Sequence, residues 1–521
     1  MDDERVRARL SWLVLLPVAA AAGGLVALHA SAPLYLFHQG FPLDDSWIHA
    51  VYAREWARSG LLAYNPGVPA TGETSPLWAL LLGVVHKFAF GASPVALTKM
   101  FGFALHVLSA VCLGVALQPL FPERRWLVWS ASAVVALDPT LVLASVSGME
   151  VPLATLVIAG AIAASVRGRP IVLAVLGALA IGARPEAAAI AVVFPFLYRM
   201  PSNPRRAFVE SFAAAAGGIG ALVLLGVRNH AISGRLLPAT FYAKANTGSP
   251  FNVRLQQVGF GDLLGTMPMV GVPAVLAAFA IISLLLLTRW GRTASERAAS
   301  AMFLSGVVFC AISFALIPPI DPASFYHQRY VLPALLPMAA AMPLLVHLVV
   351  ARSAPSVAQP LTVGTIVVFA AVLIAAWPAR AAHLANDTHN IDDVQVAFGQ
   401  ALASSPASDI VWAVDAGAIR FFGAPFVVDT IGLNTPEILG DDRQAFLDRH
   451  EPKFLDLFPS WSEVQNERHL ELRSQTFATS TPYTVASNRW MRSHVLVFCE
   501  PPGLRGRMIV RGRPLAFRCA S

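Results

Sequence analysis

Long apolar segments separated by short polar loops dominate this chain and restrict what it can fold into. Of its 521 residues, 56% are hydrophobic and 13% are charged, whereas soluble domains carry roughly 25% charged residues. Segments of crossing length lie near 10–30, 99–118, 126–145, 150–166, 170–199, 207–228, 264–288, 298–318, 330–350 and 360–380. Because an apolar helix of about 20 residues spans a bilayer, we expect a polytopic α-helical membrane protein.

One of these segments is interrupted by charged residues. Arg184-Pro185-Glu186 divides the segment at 170–199, so we expect two short helices that meet at a kink. This division gives about 11 transmembrane helices. The first segment, at 10–30, is too long for the apolar part of a signal peptide, and we interpret it as a retained helix.

The segment from Pro76 to Phe90 decides the orientation, because it is apolar but shorter than a full crossing. If it spans, the loops at 123–125 and 167–169 fall on the same side as Asp44. If it lies in the membrane interface, all basic loops join the basic N-terminus on the cytoplasmic side, as the positive-inside rule expects. These loops are ERR (123–125), RGR (167–169), YRMPSNPRR (198–206), TRWGRTASER (288–297) and VARSA (350–354). We adopt the interfacial interpretation.

In this topology the conspicuous polar motifs all emerge on the non-cytoplasmic face. They are Asp44-Asp45, SGME (147–150), ARPE (183–186), LLPATFYAK (236–244) and FYHQR (325–329). Residues 31–98 form the first external loop, and everything after Trp377 also lies outside. We therefore expect a multi-pass protein of the inner (plasma) membrane with its functional site on the periplasmic or extracellular side.

The composition changes to that of a soluble domain near residue 382. Short apolar runs alternate with turn-rich segments, which predicts an α/β domain over 382–521 after a membrane module over 1–381. We expect strands at IVWAV (410–414), PFVVD (425–429), KFLDLF (453–458) and HVLVF (494–498), with a helical link at 415–424. Cys499 and Cys519 form a disulfide if the domain lies in an oxidising compartment, and otherwise remain free thiols.

Asp44 and Asp45 follow the first apolar helix almost directly. Either residue can cap a helix that runs to Gly60. A second adjacent carboxylate at a membrane surface costs desolvation and charge repulsion, so we favour a chemical role for the pair. A carboxylate can serve as a general base, and paired carboxylates also suit a divalent cation such as Mg²⁺, Mn²⁺ or Ca²⁺.

The segment DDSWIHAVYAREWARSGLLAYNPGVPATGETSPLW (44–78) resembles the first external loop of GT-C-type glycosyltransferases that use polyprenyl-phosphate sugars. SGME, ARPE, LLPATFYAK and RYVLPALLP (329–337) resemble further landmarks of this group, in the same order. The arabinofuranosyltransferase and mannosyltransferase branches are the most similar. Glu73 departs from the pattern, which has an aromatic or neutral residue there, so the resemblance does not fix the sugar or the acceptor.

The resemblance implies an inverting transfer of sugar from a polyprenyl-phosphate donor to a glycan, lipid or protein acceptor of the cell envelope. By the resemblance, the first acid after the first helix faces the donor, so Asp44 is the expected base and Asp45 the expected helix cap. The candidate substrate-binding residues are Tyr52, Arg54, Glu73, Glu150, Arg184, Glu186, Tyr242, Lys244, His327 and Arg329.

The cationic candidates suit a phosphate leaving group, which needs positive charge more than a proton. Each of them also has a structural alternative. Lys244 can extend to the interface without binding anything. Arg184 and Glu186 can form an internal salt bridge that holds the kink at Pro185.

A transporter or flippase for a lipid-linked glycan is the alternative function, because intramembrane acids and arginines fit both classes. Transporters place such charges near the bilayer midplane, whereas these motifs cluster at one face, which favours the enzyme. The sequence has no P-loop, dinucleotide-binding glycine motif or zinc-ligand spacing. The net charge of +7 comes from arginines between apolar segments, so membrane lipids rather than nucleic acid are the expected partners.

The topology can be tested by cysteine labelling in intact cells. We expect Thr476→Cys to react with a membrane-impermeant maleimide and Ser202→Cys to react only after the cells are permeabilised. Equal labelling of both positions from outside would reject this topology.

Overall fold

The computed structural model describes residues 12–31, 40–88, 91–245, 293–316, 329–459, 461–479 and 493–521. The apolar segment near 264–288 and His327 lie outside these described residues. The side chain of Lys244 also lies outside them.

Helices make up the chain as far as the C-terminal domain. In chain order they are α1 (Leu15–Ser31), α2 (Asp44–Ser59), α3 (Pro76–Lys87), α4 (Pro94–Leu117), α5 (Arg125–Leu137), α6 (Pro139–Ser145), α7 (Val151–Arg167), α8 (Pro170–Ala183), α9 (Ala187–Arg199), α10 (Pro204–Ser233), α11 (Ala239–Ala245), α12 (Ala294–Leu316), α13 (Leu332–Ser353) and α14 (Pro355–Ile391). A short hairpin of β1 (Ala63–Asn65) and β2 (Val68–Pro69) lies between α2 and α3.

Within the described part of the chain, six helices are long and apolar enough to cross a membrane, and the bent pair α5 and α6 adds a seventh if it counts as one span. The six are Trp12–Ser31, Pro94–Leu120, Pro204–Ser233, Ala294–Ser313, Leu332–Ser353 and Pro355–Ala401. Four shorter apolar helices, α3, α7, α8 and α9, accompany them. The polytopic helical fold class is thus confirmed. The number of about 11 crossings stays a prediction, since it includes the shorter helices and the segment near 264–288.

Two helix breaks occur where proline and charged residues interrupt apolar segments. The axes of α5 and α6 differ by 60°, and Asp138 at the junction accepts the backbone N–H groups of Thr140 and Leu141 at 2.8 and 3.1 Å. The second break separates α8 from α9 at Arg184-Pro185-Glu186, as predicted. Both breaks bring polar groups into otherwise apolar surroundings.

Glycines allow α8 and α10 to cross in close contact. A Cβ atom on Gly177 would overlap the carbonyl oxygen of Ala214, and one on Gly217 would overlap that of Ala174. Small residues that bring helix backbones together are the usual basis of packing in membranes. Gly220 lies one turn further along α10 and would place a Cβ in open space.

The loop that carries α2 and the β1–β2 hairpin lies between the other helices and the C-terminal domain. Trp47 of α2 packs in one buried cluster with Ala418, and Val51 packs in another with Val427. Asn65 of β1 pairs with the backbone of Val427 through hydrogen bonds of 2.9 and 3.0 Å. This loop therefore joins the two parts of the protein through a shared core.

The C-terminal region folds into two sheets, as the α/β prediction requires. Its elements are α15 (Ala397–Ala401), β3 (Ile410–Ala413), α16 (Gly417–Phe422), β4 (Phe426–Asp429), α17 (Arg443–Arg449), β5 (Phe454–Leu457), β6 (Ser462–Asn466), β7 (Ser474–Ala478), β8 (Ser493–Phe498), β9 (Arg505–Val510) and β10 (Arg513–Arg518). The larger sheet has the order β4-β3-β5-β8-β7, and the smaller antiparallel sheet has the order β10-β9-β6. Strand β3 is parallel to β4 and β5, while β8 is antiparallel to β5 and β7.

Two further features relate to the predicted boundaries and cysteines. A disulfide joins Cys499 to Cys519, with 5.2 Å between their Cα atoms, which confirms the bridged alternative. Helix α14 continues through the predicted domain boundary at 381–382 as far as Ile391. A π-helical turn at Asp392–Val396 and then α15 follow it without a loop. The membrane part thus passes into the C-terminal domain along one helical path.

The crossing of α8 and α10 gives a stability prediction with a matched control. We expect Gly217→Ala to destabilise the protein by about 1–3 kcal/mol, because the added methyl group forces the two backbones apart. Gly220→Ala on the same helix should leave stability unchanged. Thermal melting of the detergent-solubilised protein measures both, and equal melting of the two variants would contradict this account of the crossing.

Candidate functional site

Asp44 and Asp45 begin α2, but their side chains have different partners. Neither caps the helix, because Leu43 occupies the N-cap position and no side-chain capping bond forms. The predicted cap role of Asp45 is therefore wrong. Asp44 is 7% exposed and accepts the backbone N–H groups of Gly417 and Ala418 at 2.5 and 2.7 Å. It thus binds the N-terminal end of α16 in the C-terminal domain.

A second, partly buried acid, Asp415, lies beside Asp44. Burial raises the pKa of Asp44 well above its ordinary value, and the neighbouring Asp415 raises it further, against the opposing effect of the two backbone N–H groups. Gln395 donates a hydrogen bond of 2.8 Å to Asp415. Two carboxyl groups in contact favour sharing a proton over both being ionised. Asp44 is therefore part of the joint between α2 and the C-terminal domain.

Asp45 faces Arg329. Its Oδ2 lies 2.6 Å from Nη2 of Arg329, and the two side chains are 30% and 7% exposed. Arg329 also donates to the hydroxyl of Tyr330 at 3.1 Å and contacts the sulfur of Met149 at 3.7 Å. Of the two adjacent carboxylates, Asp45 is the one with substantial access to solvent.

His49 lies one turn after Asp45 on α2 and contacts two glutamates. Its Nδ1 lies 3.0 Å from the carboxylate of Glu73, and its Nε2 lies 3.3 Å from Glu150. Burial lowers the pKa of His49, but Glu73 and Glu150 outweigh this effect and raise the pKa to about 10. At neutral pH His49 is therefore a cation held between the carboxylates of Glu73 and Glu150.

Arg184 extends this arrangement to the break between α8 and α9. It forms an ion pair with Glu150, and its Nε lies 3.6 Å from Glu186. Its guanidinium carbon lies 5.0 Å from the centre of the Tyr330 ring, and that of Arg329 lies equally close to the same ring. The internal salt bridge considered for Arg184 and Glu186 is thus present. Arg184 also forms an ion pair with Glu150 at the start of α7.

We call the resulting chain of contacts the charged row. It consists of Glu73, His49, Glu150, Arg184 and Glu186, linked in that order. Asp45 and Arg329 form a second pair beside it. The structure therefore brings together six of the predicted site residues: Asp45, Glu73, Glu150, Arg184, Glu186 and Arg329.

Three other predicted residues have different contacts. The Tyr52 hydroxyl donates to Asn434 of the C-terminal domain at 3.1 Å. Arg54 donates to the backbone carbonyl of Phe421 at 2.5 Å. Tyr242 lies under the guanidinium of Arg235, 5.0 Å from the ring centre. Tyr52 and Arg54 thus belong to the joint with the C-terminal domain, and their substrate-binding role stays a prediction.

Sequence reasoning missed His49, Tyr330 and Asp415. A signal for His49 was present, because it follows Asp45 by four residues and precedes Tyr52 by three, which places all three on one helix face. Tyr330 is adjacent to the predicted Arg329. Asp415 precedes the predicted helical link, but only the folded structure brings it against Asp44.

The two acids considered from the sequence as a metal site have separate partners in the structure. The carboxylate of Asp44 binds α16 and that of Asp45 binds Arg329, and a divalent cation at this pair stays a prediction. Among the described residues, no group of three or more His, Cys, Asp or Glu side chains is arranged to hold a metal. The positive charge in this site is supplied by Arg184, Arg329 and His49.

One family model matches part of the chain. It is described as a domain of unknown function, DUF8728, and it matches residues 388–497, within the C-terminal domain. No curated protein sequence matches the chain.

Solved structures of other proteins are similar to most of the chain. ArnT from Cupriavidus metallidurans bound to undecaprenyl phosphate has 14% sequence identity and a TM-score of 0.55, covering 92% of this chain and 97% of ArnT. The apo form of ArnT gives 13% identity, a TM-score of 0.54 and the same coverage. The Archaeoglobus fulgidus oligosaccharyltransferase has 11% identity and a TM-score of 0.50, covering 85% of this chain and 67% of that protein. The chain therefore has the GT-C-type fold that its sequence motifs predict.

Proposed function

We propose that the chain is an inverting glycosyltransferase that transfers a sugar from a polyprenyl-phosphate donor to an acceptor hydroxyl at the outer face of the membrane. The observation that carries this proposal is the solvent-accessible carboxylate of Asp45 held against Arg329 beside the charged row. The acceptor is a cell-envelope glycan, lipid or protein. ArnT, whose fold the chain shares, binds undecaprenyl phosphate, which supports a donor of this class.

The reaction is a single displacement at the anomeric carbon. Asp45 takes the proton of the acceptor hydroxyl, and the acceptor oxygen forms a bond to the anomeric carbon from the face opposite the phosphate. The bond between the anomeric carbon and the phosphate oxygen breaks, and polyprenyl phosphate leaves with the bonding electrons. One displacement inverts the configuration at the sugar, and a general base contributes about 100-fold to 10,000-fold.

Geometry favours Asp45 over Asp44 as this base. Asp44 is buried and its oxygens accept two backbone hydrogen bonds from α16, so an acceptor hydroxyl reaches it only if the C-terminal domain moves. The raised pKa of Asp44 also disfavours the ionised form that a base requires. Asp45 is more exposed, and its partner Arg329 favours the carboxylate over the protonated acid.

Two arginines are placed to stabilise the leaving phosphate. Arg184 follows α8 and Arg329 precedes α13. The guanidinium groups of both residues nevertheless contact the ring of Tyr330. Planar guanidinium groups bind phosphate oxygens through paired hydrogen bonds. The charged row fixes Arg184 and α2 relative to each other, so the base and the cations keep their relative positions without rearrangement during the reaction.

The transporter alternative fits this arrangement less well. The charged groups are held in ion pairs between the first external loop and the ends of α7, α8 and α13, on the side where the C-terminal domain packs. A transporter needs a site that opens to both faces near the bilayer midplane. Because α2 is bound to the C-terminal domain, the site is better suited to an acceptor that arrives from the side of that domain.

Paired substitutions of the two acids test the assignment. We expect Asp45→Asn to lower turnover by about two to four orders of magnitude while the protein still folds, because the amide keeps the shape but not the basicity. Asp44→Asn should keep turnover within about tenfold of the parent, since the amide oxygen still accepts a backbone N–H group. Purified protein, a polyprenyl-phosphate sugar and candidate acceptors would be used, with product measured by mass spectrometry.

Melting temperatures of both variants serve as the control for folding. The reverse result, a folded Asp44→Asn variant without activity and an active Asp45→Asn variant, would restore Asp44 as the base. Activity of both variants at the parent rate would reject the acidic pair as the catalytic group.

A further inference from the structure

The helix ends opposite the charged row carry a dense group of arginines. They lie where α7 and α9 end and where α8 and α10 begin. Residues 167–169 and 198–210 contain one glutamate and five arginines: Arg167, Arg169, Arg199, Arg205 and Arg206. Helix α7 has 17 residues, so this end lies about 25 Å along the helix axis from Glu150. The proposed reaction uses none of these arginines.

The glutamate of this group, Glu210, is already neutralised inside the protein. It is buried, and its carboxylate accepts the hydroxyl of Ser165 at 3.0 Å. Nε of Arg206 donates to the same carboxylate at 2.7 Å, and Nε of Arg199 lies 3.4 Å from it. Arg167 donates to two backbone carbonyls at 3.0 and 3.3 Å. Glu210 therefore leaves most of the positive charge at this end without a balancing acid.

Arg169 and Arg205 are free to bind an external partner. Both side chains are exposed, and neither forms an ion pair or a side-chain hydrogen bond with the described residues. The two arginines belong to adjacent helix starts, because the guanidinium group of Arg206 occupies the place where a Cβ atom on Gly168 would lie. Gly168 has a φ of 65°, which glycine adopts without strain. Arg169 and Arg205 thus lie at one edge of the protein.

Large apolar side chains are exposed next to these two arginines. Ile171 follows Arg169 by two residues and is 80% exposed. Phe208 and Phe212 follow Arg205 by three and seven residues and are 59% and 75% exposed. Helix α10 is long and apolar enough to cross a membrane, so these side chains face hydrocarbon. The edge therefore presents positive charge at the membrane surface and an apolar surface just inside the bilayer.

The arginines of the loop at 123–125 provide a contrast. Arg124 and Arg125 are also exposed, and the predicted topology places them on the same side of the membrane as Arg169. Leu127 and Val128, which follow them in the first turn of α5, are fully buried. Of these two arginine pairs, only Arg169 and Arg205 therefore combine exposed charge with an adjacent exposed apolar surface.

We propose that this edge of the protein binds an anionic phospholipid, and we call it the Arg169 site. It consists of Arg169, Arg205, Ile171, Phe208 and Phe212. The two guanidinium groups would bind the headgroup phosphate through charge-assisted hydrogen bonds, while the acyl chains lie against the apolar side chains. The predicted topology places the site in the cytoplasmic leaflet, which is rich in anionic lipids.

A lipid at the Arg169 site would stabilise the packing of α8 against α10. The two helices begin at this edge, and their backbones meet further along at Gly177 and Gly217. A headgroup bound to both Arg169 and Arg205 links the two helix starts, so melting temperature reports its binding. The proposal concerns binding and stability, and it holds whether or not the chain transfers sugar.

The test measures melting of the full chain after delipidation in detergent. Dioleoylphosphatidylglycerol in mixed micelles is the anionic probe, dioleoylphosphatidylcholine is the zwitterionic lipid with the same acyl chains, and inorganic phosphate is the soluble anion. We expect phosphatidylglycerol to raise the melting temperature of the parent more than either of the others. The double variant Arg169→Gln/Arg205→Gln should weaken the apparent affinity for phosphatidylglycerol about tenfold at low salt.

The double variant Arg124→Gln/Arg125→Gln is the matched control, because it removes the same charge from the contrasting loop. It should keep the apparent affinity of the parent. Without lipid, both double variants should melt with the parent, since the exposed arginines they replace have no side-chain partner among the described residues. Arg169→Lys/Arg205→Lys should keep part of the response, because lysine retains the charge but not the paired donors.

Four outcomes would overturn the proposal. Equal weakening by the two double variants would show a general attraction of positive charge rather than a site at α8 and α10. Equal responses of the parent to the two lipids would remove the role of the anionic headgroup. A response to inorganic phosphate as large as that to phosphatidylglycerol would reject a lipid ligand. A lipid-free Arg169→Gln/Arg205→Gln variant less stable than the parent would assign the arginines to the fold.

Discussion

The ion pairs of the charged row hold together segments that are far apart in sequence. Glu73 comes from the loop between β2 and α3, His49 from α2, Glu150 from the start of α7 and Arg184 from the end of α8. Each of these charges is nearly excluded from water and would be costly alone. Because every member has an oppositely charged neighbour, the row specifies one arrangement of the helix ends, and the position of α2 follows from it.

The two aspartates at the start of α2 show how one sequence feature serves two structural purposes. Asp44 turns towards the C-terminal domain and binds the first N–H groups of α16, where a helix N-terminus favours acceptors. Asp45 turns towards Arg329. Asp44, which binds the C-terminal domain, and Asp45, the proposed base, are thus adjacent residues. A movement of the C-terminal domain would therefore also move Asp45.

Sequence patterns predicted most of the architecture because membrane crossing and strand alternation are local properties. The break at Arg184 and four of the five strands of the larger sheet, β3, β4, β5 and β8, follow from proline, charge and alternation within a few residues. The pairing of Asp45 with Arg329 joins residues 284 positions apart, and only the order of motifs in a resembling family pointed to it. The burial of Asp44 depends on α16, which no pattern around residue 44 reveals.

Helix α14 connects the bilayer to the C-terminal domain without a flexible linker. Its 37 residues correspond to about 55 Å, so a tilt of about 5° displaces the far end by about 5 Å. Helices tilt in response to the thickness of the surrounding bilayer. A change in bilayer thickness that tilts α14 would therefore also shift the C-terminal domain relative to the membrane surface.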